Sequence, residues 1–302
     1  MKLRSILFFL LLAGHLLAQR DDLPYLPSKL YDTGGYEIHL FNNYFTWSDG
    51  APKTNYKYDF FTSNLQFLYG ISTKLNVGLD VKLRSVSQTS GTDIPAFEAL
   101  QWKNTGKYDD GLTKGYRRSG VTALGLRWKI APFENVPNFS IQQTVYIPLG
   151  KELEGSATNG FIDWGGYSFF TQLYYDHSVT SKVSLFVESD LIIENIGKAM
   201  FGQEDGYYQM STPVSVILSY FPNPLHTFYG LINVAPQWGT TVKADPLMRT
   251  PAYTPFNQYG VGYKYAITRR ILAEVIWTRF FNPSAQARIY TYNFGIRYFV
   301  NG

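Results

Sequence analysis

Apolar and polar residues alternate with a period of two along most of the chain beyond about residue 34. The apolar set Leu75, Val77, Leu79, Val81 and Leu83 is interleaved with Asn76, Gly78, Asp80, Lys82 and Arg84. Leu124, Leu126, Trp128 and Ile130 alternate with Ala123, Gly125, Arg127 and Lys129, and Val183, Leu185, Val187, Ser189 and Leu191 with Ser184, Phe186, Glu188 and Asp190. Near the C-terminus Tyr290, Tyr292, Phe294, Ile296, Tyr298 and Val300 oppose Thr291, Asn293, Gly295 and Arg297. Strand side chains point to opposite faces in turn, so this pattern predicts strands with one apolar and one polar face. No segment carries a convincing helical period. Twelve strands are predicted, centred near Leu40, Leu65, Leu79, Leu126, Gln143, Leu173, Val187, Val216, Leu231, Val261, Val275 and Phe294.

Several of these segments run to roughly 11–14 residues, longer than the ~5–6 of a soluble strand. A tilted strand needs about 9–11 residues to cross an outer membrane. The connections alternate in length. Short ones lie near Ser72–Thr73, Pro132–Pro137, Ser178–Ser181, Pro222–Pro224 and Thr268–Arg269. Longer ones lie near Ser48–Asn55, Gln88–Ser119, Gly150–Gly165, Asn195–Gln209 and Pro236–Thr254, with Asn282–Ser284 a short exception. Membrane barrels sort their connections this way, with short turns in the periplasm and long loops outside, and a soluble β-sandwich has no reason to. The pattern predicts an all-β fold. It is a single antiparallel transmembrane up-and-down β-barrel of about 12 strands over residues 35–302, with short periplasmic turns and long extracellular loops. An even strand count puts both termini on the periplasmic side of a Gram-negative outer membrane.

The amino terminus reads differently. Lys2 and Arg4 precede an apolar run from Ile6 to Ala18, broken only by Gly14 and His15. It is too short to span a bilayer and has the layout of a secretory signal peptide over residues 1–18, with cleavage after Ala18 or Gln19. Residues 19–34 then form a periplasmic lead-in. Composition agrees with a barrel. Aromatic and charged residues each make up 17% of the chain, against about 25% charged in an ordinary soluble domain. Disorder is excluded by the aromatics, and a helical membrane protein by the lack of further long apolar runs. There is no cysteine, so disulfide, thiolate-metal and cysteine-nucleophile chemistry are excluded. The formal charge of +4 is too small and scattered for a nucleic-acid partner. Aromatics cluster at predicted strand ends, including Phe45, Trp47, Tyr58, Tyr69, Trp128, Tyr220, Tyr265, Phe280 and Tyr298. This is the placement expected of the interfacial girdles of a membrane barrel.

The segment from Tyr69 to Val81, an aromatic-Gly pair, a tight turn, a basic residue and then alternating Leu and Val, resembles a recurrent hairpin of Gram-negative outer-membrane barrels. Residues 265–275 and 179–187 echo it. The mature chain resembles the transporter-like barrels grouped with the meta-pathway phenol-degradation proteins. That resemblance implies passage of small, often hydrophobic molecules. The last strand resembles the aromatic-ended strand read by the barrel-assembly machinery, although Phe299 is followed by three further residues.

In a barrel the apolar faces meet lipid, so the polar faces line the interior. The inward charges are then Asp80, Lys82, Arg84, Arg127, Lys129, Glu188, Asp190, Lys264, Glu274 and Arg297. The basic members concentrate on strands 3 and 4 and an acidic pair on strand 7. Either the split sets a transverse field across the bore, or opposite charges pair locally and fill it. Hairpin geometry brings Lys264, Glu274 and Arg297 within mutual reach as a lumenal cluster. Twelve strands at ~4.8 Å spacing and ~40° tilt give a backbone diameter of about 24 Å and a bore of roughly a nanometre. The segment Gln88–Ser119, carrying Trp102, Tyr108, Tyr116, Asp109, Asp110, Arg117 and Arg118, is the candidate for folding inward, the alternative being a surface loop.

Little points to catalysis. His15 lies in the leader, His177 and His226 near predicted turns and His39 on strand 1, and no motif supplies a nucleophile beside them. Asp109-Asp110-Gly111 and Glu204-Asp205-Gly206 lack calcium-loop spacing, and Gly260-Val-Gly262 is no dinucleotide fingerprint. No catalytic residue, metal or cofactor is predicted. The expected function is a porin-like channel or transporter for passive passage of small solutes. A non-conducting structural barrel, partner of an envelope assembly or secretion complex, is the alternative. An outer-membrane lipid hydrolase is the least supported. The expected partners are outer-membrane lipid, small solutes, the barrel-assembly machinery during insertion and envelope proteins.

Overall fold

The computed structural model describes residues 26–49, 56–91, 97–109, 111, 113–155, 159–196, 208–239, 257–281 and 287–301. The predicted signal peptide, Glu204-Asp205-Gly206 and much of the long connections lie outside the described residues. Twelve long strands close a single antiparallel up-and-down barrel. They are β1 (Tyr36–Ser48), β2 (Tyr56–Ser72), β3 (Leu75–Gly91), β4 (Thr113–Ile130), β5 (Phe139–Pro148), β6 (Tyr167–Thr180), β7 (Val183–Ile196), β8 (Val214–Asn223), β9 (His226–Val234), β10 (Asn257–Ala266), β11 (Ile271–Phe281) and β12 (Arg288–Val300). Each predicted strand centre falls inside one of them. Closure is direct: β1 pairs with β12 from Tyr36↔Val300 to Ser48↔Arg288. Both ends of the wall therefore lie at one rim, beside the turns at Thr73–Lys74, Ser181–Lys182 and Pro224–Leu225. No described helix is long and apolar enough to cross a membrane.

The alternation translates into two surfaces. Leu40, Leu65, Leu79, Leu126, Val216, Val261, Val275 and Phe294 are exposed on the outside, the apolar band that hydrocarbon would cover. Their sequence neighbours Asp80, Arg127, Lys129 and Thr291 are buried inside. At the turn rim Tyr69, Trp128, Tyr220 and Tyr265 are exposed in line with this band, as a girdle requires. At the other rim the girdle expectation holds in part: Trp277 and Phe281 share the outward parity of Val275, and Tyr259 lies 4.7 Å from Phe281, but other members are corrected. Phe45, Trp47, Tyr58, Phe60 and Phe280 point inward and pack on one another, with Phe45 5.8 Å from both Phe60 and Phe280 and Trp47 5.1 Å from Tyr58. They form an aromatic collar within the barrel.

Two irregularities shape this rim. A bulge at Thr122 lies between the pairs Lys82↔Ala123 and Leu83↔Val121. It flips the parity of β4, so Tyr116 and Arg118 turn inward and Arg117 outward. Short strands at 209–211 and 237–239 pair with each other and continue β8 and β9 beyond breaks at Pro213 and Pro236, residues that cannot donate to a ladder.

Of the segment named as the candidate for folding inward, the described residues between the strands take the alternative, a course over the outer surface. The connection from β3 to β4 is confined to residues 92–112, and its turn of 3-10 helix, Glu98–Gln101, lies over the outside of β2 and β3. Ala99 packs with Tyr44 and Phe61, Trp102 stands 6.0 Å from Phe61, and Glu98 pairs with Arg117. The reason is the outer face beneath it. Above the apolar band β2 and β3 present Asp59, Ser85, Ser87 and Thr89 outward. Such groups are poor company for lipid without partners.

Candidate functional site in the barrel interior

The densest charged cluster spans β3 and β4. Asp80 is fully buried and pairs with the Arg127 guanidinium. It also accepts the Tyr146 hydroxyl at 2.9 Å, and Arg127 reaches Gln66 at 3.3 Å. Two and four residues further along β3, on the same face, Lys82 Nζ and Arg84 Nη1 both reach the Asp163 carboxylate, at 3.0 and 2.9 Å. Asp163 belongs to the connection between β5 and β6, which folds into the interior. Leu153 and Ile162 from that connection pack with Val86 and Tyr116, and Arg118 Nη1 donates to the Glu152 and Gly160 carbonyls at 2.8 and 2.6 Å. Thus the described residues of this connection, 149–155 and 159–165, fill the bore at this level. Its pattern carries no strand or helix period, so Asp163 gave no signal in sequence.

The opposite rim is occupied by the lead-in. Ser28 N donates to Asp176 on β6 at 2.8 Å, and Lys129 on β4 donates to the Pro27 and Lys29 carbonyls at 2.5 and 2.8 Å. Asn76 on β3 bonds the Tyr31 carbonyl at 3.3 Å, and the Tyr31 hydroxyl bonds Glu37 on β1. Tyr31 also clusters with Leu68, Ala266, Leu272 and Phe299. In a twelve-stranded ring β6 and β12 stand on opposite walls. Residues 26–35 therefore cross the interior from one wall to the other.

The remaining predicted charges pair or bond locally. Glu188 accepts Gln172 Nε2 at 2.7 Å, and Gln172 in turn accepts Gln142 at 2.7 Å, two amides of β5 and β6 leading to a carboxylate on β7. Asp190 is buried beside it. Lys264 stands opposite Glu274 and pairs with it at 3.2 Å, while the Tyr229 hydroxyl donates to Glu274 at 2.6 Å. Arg297 lies diagonal to Glu274 as hairpin geometry requires, but its ion pair crosses the barrel seam to Glu37 at 2.9 Å. Sequence reasoning missed Glu37 and His39, although their alternation with Ile38 and Leu40 carried the signal. The interior is organised by local pairing, and two chain segments stand where strand count alone leaves a clear nanometre bore.

No family model and no curated protein matches the chain. Among solved structures, an outer-membrane channel from Pseudomonas putida F1 superposes with a TM-score of 0.56 at 12% identity, over 94% of this chain and 100% of that one. The β domain of the Bordetella autotransporter BrkA superposes with a TM-score of 0.52 at 10% identity, over 88% and 99%. The chain shares the closed antiparallel β-barrel fold of these outer-membrane proteins. Of the described histidines, His39 Nδ1 faces Gln66 at 3.1 Å and Arg297 at 3.4 Å, and His226 Nδ1 faces the Tyr263 hydroxyl at 2.6 Å.

Asp163 makes one property of the barrel testable by pH. Burial raises its pKa, but the Lys82 ammonium and Arg84 guanidinium outweigh that effect and hold it below the ordinary carboxylate value. A carboxylate with a depressed folded pKa stabilises its docked state above the ordinary value, and the contribution is lost only as pH falls through the depressed one. A spin label at Lys151→Cys, in a chain with no other cysteine, should therefore keep its mobility from pH 8 to about pH 4 and loosen only below that. Loosening already near pH 6 would contradict the assignment of Asp163 as the anchor.

Proposed function

We propose that this barrel is an outer-membrane channel or transporter for passive passage of small solutes, with both termini in the periplasm. The observation that carries the reading is the nature of its two closures. Each is made by a segment outside the wall, and each is held largely by hydrogen bonds and ion pairs to lumenal side chains. Water and polar solutes can replace such contacts, whereas a dry interior of interlocked wall side chains offers no exchange. The β8 wall adds Ser215, Ile217 and Ser219, half-buried and uncharged, facing inward between the exposed Val214, Val216 and Leu218. The exposed apolar band supports outer-membrane lipid as surroundings, and the final aromatic strand supports insertion by the barrel-assembly machinery.

Single-channel recording in planar bilayers tests this. Wild-type protein should give small, interrupted openings. Replacing residues 151–163 by a short Gly-Ser linker should enlarge and steady them. Silence from both proteins, with heat-modifiable gel mobility showing each barrel folded, would overturn the proposal in favour of a non-conducting structural barrel serving an envelope complex.

A further inference from the structure

We propose that Lys82 and Arg84 form a binding subsite for a small carboxylate with an apolar or aromatic body, and that Asp163 is the tethered group occupying it. This rests on the channel reading, since a solute must reach the interior to use the site.

The geometry separates this pair from the other lumenal charges. Arg127 is neutralised by Asp80, a residue of the wall itself, with side-chain exposures of 8% and 0%. The ion pairs of Lys82 and Arg84 are both made to Asp163, delivered by a connection from across two strands. Two cations thus share one loop carboxylate, and their side chains remain 20% and 16% exposed, open at one edge to the interior. Glu194 on β7, bonded by the Trp164 side chain, is a further carboxylate in their field. Counting Glu194, the pair keeps a net positive charge once Asp163 is withdrawn.

The flanks are aromatic. The Tyr146 ring lies 5.7 Å from Lys82 Nζ, and the Phe60 ring 5.3 Å from Arg84 Cζ. Phe60 belongs to the aromatic collar and packs against Val86. A carboxylate on the two cations would lay its body along Phe60, into space lined by the collar. A cation fork with aromatic walls selects an anionic head on an apolar body over an inorganic anion, because only the former also buries surface. Exchange of Asp163 for the solute's carboxylate would remove its tie to β3, so the solute that fits the site loosens the packing of Leu153 and Ile162 above it.

The test uses the full-length barrel in detergent, with benzoate as probe and benzamide as its uncharged isostere, followed by titration calorimetry. Removing a tethered competitor raises the fraction of competent sites. Asp163→Asn should therefore bind benzoate about tenfold more tightly than wild type, with no gain for benzamide. Adding Lys82→Gln and Arg84→Gln to that variant should abolish the gain. A second measurement keeps the wild-type carboxylate and reads a spin label at Lys151→Cys, which benzoate should mobilise and benzamide should not. An Asp163→Asn barrel that folds but binds benzoate no better than wild type overturns the proposal, as does a label indifferent to benzoate. Both readouts are independent of conductance, so silent bilayers would count against the channel reading and leave this one standing or falling separately.

Discussion

Asp80→Ala should destabilise the folded barrel by about 3–5 kcal/mol, the range for removing one partner of a buried ion pair. Asp80 has no solvent exposure and Arg127 has almost none, so water cannot take the place of the lost carboxylate. The Tyr146 hydroxyl loses its acceptor at the same time. Asp80 fits because Gly125 faces it across the β3–β4 ladder: a Cβ there would lie 2.9 Å from both the Asp80 Cβ and a Tyr146 ring carbon. The penalty arises from stranding the guanidinium rather than from the worth of the pair. The double replacement Asp80→Leu with Arg127→Leu should accordingly recover most of the loss. Denaturant midpoints of the heat-modifiable folded band, in wild type, Asp80→Ala and the double variant, give the answer. A single variant within about 1 kcal/mol of wild type would mean that the pair is solvated, and a double variant as poor as the single would mean that the cost lies elsewhere.

Gly70→Val should expel the lead-in from the interior while leaving the wall intact. The Gly70 N–H donates to the Gly35 carbonyl at 2.8 Å, and its own carbonyl accepts from Gly34 N at 3.0 Å. A Cβ at this position would lie 2.1 Å from the Asp32 carbonyl oxygen and 2.7 Å from that of Tyr31. These are backbone atoms, so no rotamer relieves the clash. Overpacking costs about 1–3 kcal/mol, which lowers the docked population by about 5- to 150-fold. Trypsin cleavage after Lys29, whose carbonyl is held by Lys129, should accelerate by that factor without loss of the folded band. An unchanged cleavage rate would show that the segment is not seated against Gly70.

The alternation of Leu75 to Arg84 and its counterparts contained the wall almost completely, because each strand writes both of its environments into consecutive residues. It contained much less about what happens inside. That Lys82 and Arg84 share a face was legible; that their partner is Asp163 was not, since a connection without periodicity does not say where it returns. Arg297 illustrates a second limit. Its diagonal relation to Glu274 follows from a hairpin between neighbouring strands, but its pairing with Glu37 depends on closure, which joins residues 260 apart in sequence. The aromatic girdle was half legible. Tyr69 and Trp128 share parity with the apolar band, whereas Phe45 and Trp47 alternate with Tyr44 and Thr46, where both faces hold an aromatic and composition does not say which side is wet. The outward path of Glu98 to Trp102 was hidden for a related reason: it answers to Asp59 and Ser87 on the outer face, polar residues at positions that lower down are apolar.

The seam between β1 and β12 joins the first strand of the wall to the last, and the segment lying across the interior leads directly into β1. Its anchors on Asn76, Lys129 and Asp176 sit on β3, β4 and β6, so they do not exist until half the wall has been laid down. Residues 26–35 can take their place only after those strands stand together. The order of assembly is thereby constrained from the inside. The lead-in is thus a late addition, seated after the strands that hold it.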